Sequence, residues 1–265
     1  MSAVDFAAFV DELATASGDT ILPFFRTKLG VEDKSGTGGF DPVTAADRAA
    51  ESAMRTLIKR QFPEHGIVGE EFGEENPGAE YAWLLDPIDG TKSFITGLPT
   101  WGTLIGLTRF GRALFGMMHQ PFVGERFTGD GQAAHYRGPA GKRDLHARPC
   151  DSLKDAVLLT TSPRLMTPLE RGLFGRVEEK ARLSRYGGDC YCYCMLAAGH
   201  VDIVIESGLN PFDIVALIPI ITGAGGVITT WDGGPAEQGG RILAAGDKRM
   251  HAAAMELLKQ AEPSG

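Results

Sequence analysis

A chain of 265 residues, 43% of them hydrophobic and 23% charged, is long enough to bury a substantial core as one large domain or two closely packed ones. Its formal charge of −8 argues against a nucleic-acid backbone as partner, which calls for clustered Lys and Arg, but leaves room for a small phosphorylated ligand if bound cations reverse the local field. No targeting segment opens the chain, and its longest apolar run, residues 214–221, contains Pro219 and falls far short of the ~18 residues that cross a bilayer, so a cytoplasmic protein that does not span a membrane is expected.

Phe6, Phe9, Val10, Leu13, Ile21, Leu22 and Phe25 recur at mostly helical spacing and predict an amphipathic helix. The loop of residues 34–42, with glycines at 36, 38 and 39, is expected to be mobile and to close over a site. A second helix is predicted over residues 44–62, with Thr44 as N-cap and Asp47 three residues on, and Pro63 ends it. Strands are expected at 67–68, 82–85, 103–109 and 113–119, the last two joined by a turn at Phe110-Gly111. Residues 129–149 read as turn-rich and polar. They set a boundary between an N-terminal α+β subdomain, 1–149, and a C-terminal α/β subdomain, 150–265. Beyond it come strands at 156–160, 201–206, 226–230 and 242–245. Helices are predicted at 168–180, 189–198, 212–222 and 248–259, an alternation that suggests an α/β layer.

The chemistry concentrates at Asp86-Pro87-Ile88-Asp89-Gly90-Thr91, which follows the apolar stretch at residues 81–85. Two carboxylates three residues apart, with a hydroxyl beside them, make an oxygen-rich corner of the kind that holds Mg²⁺ with a substrate phosphate. Upstream lies Gly69-Glu70-Glu71. Four acids this close repel one another unless a positive charge sits among them. A further acid, Asp213, opens an apolar helix, where capping alone also explains it. Cys190, Cys192 and Cys194 lack the spacing of a structural zinc site and read as buried reduced thiols. The six histidines are scattered, and Gly223-Ala224-Gly225-Gly226 is not preceded by the strand that dinucleotide binding requires.

Taken together, Gly69-Glu70-Glu71, the hexapeptide at 86–91, the late Asp213 and Asp41-Pro42-Val43-Thr44-Ala45-Ala46-Asp47 resemble the inositol monophosphatase superfamily over nearly the whole chain. The resemblance implies a layered α-β-α-β-α sandwich and a Mg²⁺-dependent phosphomonoesterase, commonly dimeric. It places two or three Mg²⁺ on Glu70, Asp86, Asp89, Asp213 and the carbonyl of Ile88, with Glu71 joining through water. Glu70, Asp47 and Thr91 become the catalytic set, Asp47 accepting from the Thr91 hydroxyl, which orients the attacking water. The N–H groups of Gly90 and Thr91 would cradle the phosphate, and Lys34 belongs to a mobile loop at the metal site. Such ions acidify bound water and steady the leaving alkoxide, while the protein supplies in-line placement.

Departures from the inositol-type pattern point to one branch. Lys92-Ser93-Phe94 follows Thr91, and Phe212 precedes Asp213. Arg185-Tyr186-Gly187-Gly188-Asp189-Cys190-Tyr191, Glu206, and the run from Ile95 to Gly102 are similar to histidinol-phosphate phosphatases. Histidinol phosphate carries an amine and an imidazole, which Asp189 and Glu206 could accept, whereas an inositol ring offers only hydroxyls. Arg185 could contact the phosphate or pair with these acids. Asp189 as helix N-cap and Arg185 in a structural salt bridge remain open at this level. So do inositol monophosphate or another sugar phosphate as substrate, and a regulatory protein that binds metal without turnover.

Overall fold

The computed structural model describes residues 6–27, 31–33 and 42–259, with the main chain alone for 31–33 and 42–44. Lys34, the rest of the 34–41 loop and the side chain of Thr44 lie outside the described residues.

The first part of the chain runs α1 (Phe6–Ile21), β1 (Val31–Asp33), β2 (Pro42–Thr44), α2 (Ala45–Gln61), β3 (Gly66–Gly69), β4 (Gly73–Glu75), β5 (Tyr81–Asp89) and α3 (Thr91–Ile95). It continues through β6 (Gly102–Arg109), β7 (Arg112–Gln120), β8 (Glu125–Gly129), β9 (Ala134–Gly138) and β10 (Gly141–Asp144). Among the described residues, strands β3 to β10 form one eight-stranded sheet in the order β10-β9-β8-β7-β6-β5-β3-β4, antiparallel except where β3 runs parallel to β5. The turn between β6 and β7 is the expected one: Phe110 and Gly111 have φ of 49° and 73°, the left-handed pair that a two-residue hairpin needs.

The second part comprises β11 (Val157–Thr160), α4 (Pro168–Glu178), β12 (Leu183–Tyr186), α5 (Asp189–Ala197), β13 (Ile203–Leu209), α6 (Pro211–Ile214), α7 (Leu217–Gly223), β14 (Val227–Thr230), β15 (Gly240–Ala245) and α8 (Lys248–Leu258). Its five strands lie in the order β12-β11-β13-β15-β14.

Side-chain alternation along the strands sorts these elements into five layers. Ile105, Leu107 and Met117 of the large sheet meet Phe9, Val10 and Leu13 of α1 and Met54 and Ile58 of α2. Leu104, Met118 and Phe127 face the other way and bury against Cys190 and Cys194 of α5 and Leu217, Ile220 and Ile221 of α7. Those two helices also cover Val204, Ile242 and Ala244 of the small sheet. Its opposite face, Leu158, Ile203, Ile205 and Leu243, packs on Leu173, Phe174 and Val177 of α4 and Met250 and Ala254 of α8. The result is the expected α-β-α-β-α sandwich.

Three expectations need correction. Residues 129–149 are not mainly turn: β9 and β10 form a hairpin that extends the large sheet to its edge. Their exposed positions carry His135, Arg137, Lys142 and Arg143, which masked the strand signal. The edge strand β12 was missed for the same reason, since Leu183, Arg185 and Tyr186 are all exposed. The single helix expected at 212–222 is two short ones, because Pro219 has no N–H to give the carbonyl of Val215.

Close approach places α6 and α7. A Cβ on Gly116 would stand 1.8 Å from the Ala216 carbonyl oxygen, one on Gly129 2.4 Å from that of Pro219, and one on Gly106 2.9 Å from Val215. With glycine at all three, the backbone from Val215 to Ile220 lies directly on the large sheet. That contact sets how near Asp213 comes to the end of β5.

Candidate active site

Asp86 and Asp89 stand at the C-terminal end of β5. In a regular strand, residues three apart point to opposite faces. Here the pairing with β6 shifts register between Asp86 and Asp89, a bulge that re-aims the second carboxylate. The bulge is held internally: the Ile88 N–H donates to Asp86 Oδ1 at 3.0 Å, and the Thr103 hydroxyl donates to the Pro87 carbonyl at 2.8 Å. Asp213 comes from the first turn of α6, where its carboxylate accepts the Asn210 N–H at 2.7 Å. The capping role and the place in the cluster are therefore both real.

One carboxylate oxygen from each of Asp86, Asp89 and Asp213 lies within 4.8 Å of the other two. At that separation each ionised pair costs about 3 kcal/mol with an effective dielectric near 20. Burial, and then the charges of Glu70, Asp89, Asp213 and Asp47, push the Asp86 carboxyl well above its ordinary range. Burial, and then Asp189 and Asp213, do the same to Asp89. Asp213 rises to about 7, through burial first and Glu70 among its charged neighbours. Glu70 thus lies within electrostatic reach of the cluster, although it is not one of the three converging oxygens. A set of hard oxygens strained by mutual repulsion fits a divalent cation such as Mg²⁺ or Mn²⁺.

The rest of the expected site arranges itself around this triangle. Asp47 is buried on α2, and its charge acts on Asp86. The Thr91 hydroxyl donates to the Ile88 carbonyl at 3.2 Å, so its partner here is that oxygen and not the carboxylate of Asp47. Gly90 is the N-cap of α3 with φ of 87°, a conformation that favours glycine. The Glu71 side chain is shielded from solvent and pairs with Arg48 at 3.7 Å.

Asp189 does not cap α5. Gly188 holds that position, and Asp189 begins the helix with φ of 44°, a strained value for a non-glycine residue. Its carboxylate instead accepts from the Ser93 hydroxyl at 2.8 Å and lies against Gly90, where an added Cβ would come within 2.9 Å of it. Burial raises the Asp189 carboxyl, partly offset by Ser93 and Lys92. Glu206 is buried on β13; Oε1 accepts the Thr161 N–H at 2.6 Å and Oε2 the Thr160 hydroxyl at 3.3 Å. Burial pushes its carboxyl to about 7. Arg185 stands exposed on β12 and forms no ion pair among the described residues, so the pairing with Asp189 or Glu206 is not made.

Two contributors were not foreseen. The backbone N–H of Cys190 donates to Asp89 Oδ2 at 2.6 Å, tying α5 to the end of β5. Ser93, which also accepts from the Thr100 hydroxyl at 3.0 Å, orients Asp189. The first left no mark in the sequence, being a main-chain contact. The second was visible only as the departure Lys92-Ser93 after Thr91. The cysteines of α5 are free and buried, as expected.

The chain matches the Inositol monophosphatase family over residues 3–262. It is 43% identical to the bifunctional phosphatase IMPL2, chloroplastic, of Arabidopsis thaliana over 96% of this chain and 75% of that protein. A histidinol-phosphatase of Mycobacterium tuberculosis is 34% identical over 88% of this chain and 91% of its own length. Among solved structures, an inositol monophosphatase from Zymomonas mobilis superimposes with a TM-score of 0.86 at 39% identity, covering 97% of this chain and 98% of that one.

Proposed function

The chain belongs to the inositol monophosphatase family of metal-dependent phosphatases, and from that premise we propose that it is a Mg²⁺-dependent phosphatase hydrolysing L-histidinol phosphate to histidinol and inorganic phosphate, in histidine biosynthesis. Glu70, Asp86, Asp89, Asp213 and the Ile88 carbonyl would hold two or three ions, with Glu71 reaching them through water. When bound, the ions neutralise phosphoryl charge and acidify the attacking water. The chain's own groups do the positioning. The N–H groups of Gly90 and Thr91 hold the phosphate. Asp47 takes up the proton of the water through the Thr91 hydroxyl, once that hydroxyl turns from the Ile88 carbonyl toward it, as the water oxygen bonds to phosphorus and the P–O ester bond breaks. The departing alkoxide takes that proton back from the pair and leaves as the alcohol. Arg185, exposed on its edge strand, is free to turn toward an anionic substrate.

One observation carries the choice of substrate: the half-buried Asp189 carboxylate lies against Gly90, so any ester whose phosphate is held there has an acidic neighbour. Glu206, whose carboxyl feels the charge of Asp189, adds a second acceptor. An ammonium or imidazole N–H gains from both groups, while an inositol ring gains less. The relatives named above support both ester classes, so a panel of esters read by released phosphate is the test. Histidinol phosphate should be preferred, and Asp189→Asn should lower its kcat/KM at least tenfold while sparing inositol 1-phosphate. Equal loss on both esters, or none, would reject amine recognition. Among the described residues no helix is long and apolar enough to cross a membrane. The same reading carries a cytoplasmic homodimer, checked by sedimentation and cell fractionation.

A further inference from the structure

We propose that Glu51 and Arg55 are positioning residues: a buried ion pair on α2 that shapes the Gly69–Phe72 turn, and so fixes the affinity of the site for its divalent cation. The proposal rests on the metal-site reading above and adds to it a group that is not a ligand.

Glu51 is fully buried and Arg55 nearly so. Each oxygen of Glu51 is already engaged. Oε2 accepts the Glu71 N–H at 2.7 Å, and Oε1 accepts the Phe72 N–H at 3.2 Å and Arg55 Nε at 2.7 Å. With its lone pairs turned to these donors, Glu51 is not arranged as a ligand. Arg55 continues the clamp, donating from Nη2 to the Gly73 carbonyl and standing 3.4 Å from Glu75 through Nη1. Glu51 also lies flat against Gly69: a Cβ there would come within 2.0 Å of Oε1. The pair therefore grips residues 69 to 73 along their whole length, on both sides of the acids Glu70 and Glu71.

A buried ion pair is a poor way to stabilise a helix, since its desolvation roughly cancels its attraction and an apolar pair packs as well. Its presence beside an already acidic cluster calls for another explanation, and the hydrogen bonds supply one. They are made to the backbone of the turn bearing Glu70 and Glu71, not to other side chains of the core. Asp47 lies one turn earlier on the same helix, so α2 sets the Asp47 carboxylate and the Glu70 turn in a single rigid frame. Arg55 keeps Glu51 from adding to the repulsion within the cluster. Groups that orient ligands in this way typically change metal affinity 10–100-fold when removed.

The experiment measures the Mg²⁺ dissociation constant calorimetrically on the full chain, for wild type, Glu51→Gln, Arg55→Lys and Asp89→Asn, with circular dichroism and melting in EDTA to confirm folding. Glu51→Gln should bind Mg²⁺ at least tenfold more weakly, with kcat recovering at saturating Mg²⁺, the pattern of a displaced ligand frame. Arg55→Lys keeps the charge beside Glu51 but gives up the fork to Gly73, and should show a smaller loss; it also serves if Glu51→Gln does not fold. A folded variant of either kind with the wild-type dissociation constant overturns the positioning role. If Asp89→Asn loses Mg²⁺ while Glu51→Gln keeps it, the clamp alone is refuted. If Asp89→Asn binds like wild type, the metal site itself is wrong and the clamp falls with it.

Discussion

Replacing Glu206 by glutamine should make the protein more stable in alkali and leave it unimproved in mild acid. The carboxyl rises from 4.5 to about 7 on folding because burial disfavours its charged form, with Asp189 adding repulsion. A folded-state value above the unfolded one means that the native protein holds this proton more tightly. Its contribution to stability is therefore complete below about pH 4.5 and disappears as pH rises through 7. Linkage makes the slope in that window about 1.4 kcal/mol per pH unit, which sums to about 3 kcal/mol by pH 8.5. Glutamine never ionises. It keeps an oxygen for the Thr161 N–H but gives up one acceptor, at about 1 kcal/mol whatever the pH. The variant should thus be level with or slightly below wild type at pH 5, and about 2 kcal/mol above it at pH 8.5. Urea unfolding in EDTA at the two pH values reads the difference directly, because Asp189 and Asp213 titrate in both proteins and largely cancel. An identical stability difference at pH 5 and pH 8.5 would show that Glu206 is ionised in the native state throughout, and would refute the reasoning.

Magnesium at a hundredfold excess over its dissociation constant should stabilise the protein by about 2.7 kcal/mol, a melting shift of roughly 5–10 °C in thermal denaturation; Asp89→Asn should show no shift and lose turnover at least about a hundredfold. Gly90→Ala forces a side chain into a left-handed conformation and onto Asp189. It should cost about 1–3 kcal/mol in unfolding experiments and abolish most phosphate release; full activity would deny the close contact between the two residues. Gly116→Ala meets the Ala216 carbonyl and should lower stability by about 1–3 kcal/mol or more, with the Mg²⁺ requirement of the surviving activity rising as Asp213 is displaced.

How far these features could be read from the chain depends on how local their causes are. The acids of the 86–91 segment announce themselves because strand, bulge and turn all fall within six residues. Asp213 is different. An acid at a helix start has a complete local explanation, and its convergence with Asp86 and Asp89 became an expectation only through family resemblance. The five-layer sandwich was legible in part from periodicity, which caught α1, α2, β6 and β7. It failed at β10 and β12, which are exposed along most of their length, and at β9, which turns only Ala134 and Tyr136 inward between charged neighbours. Asp189 was read as a possible cap from its position, yet its positive φ and its bond to Ser93 are tertiary in origin. Glu51 gave no signal, since a glutamate four residues before an arginine on a helix ordinarily marks a solvated face.

The row of glycines beneath α6 and α7 bears on which ion such a site would favour. Asp213 has no flexible arm of its own; its distance from Asp86 and Asp89 is the distance at which a helix rests on a sheet. Mg²⁺ demands oxygens at 2.0–2.1 Å, and Ca²⁺ accepts 2.3–2.6 Å. A methyl group slipped under that helix at Gly116 would stand 1.8 Å from the Ala216 carbonyl oxygen and push Asp213 away from the other two acids. Discrimination between the two cations at such a site would then depend on core packing at Gly106, Gly116 and Gly129, none of which belongs to the acid triangle.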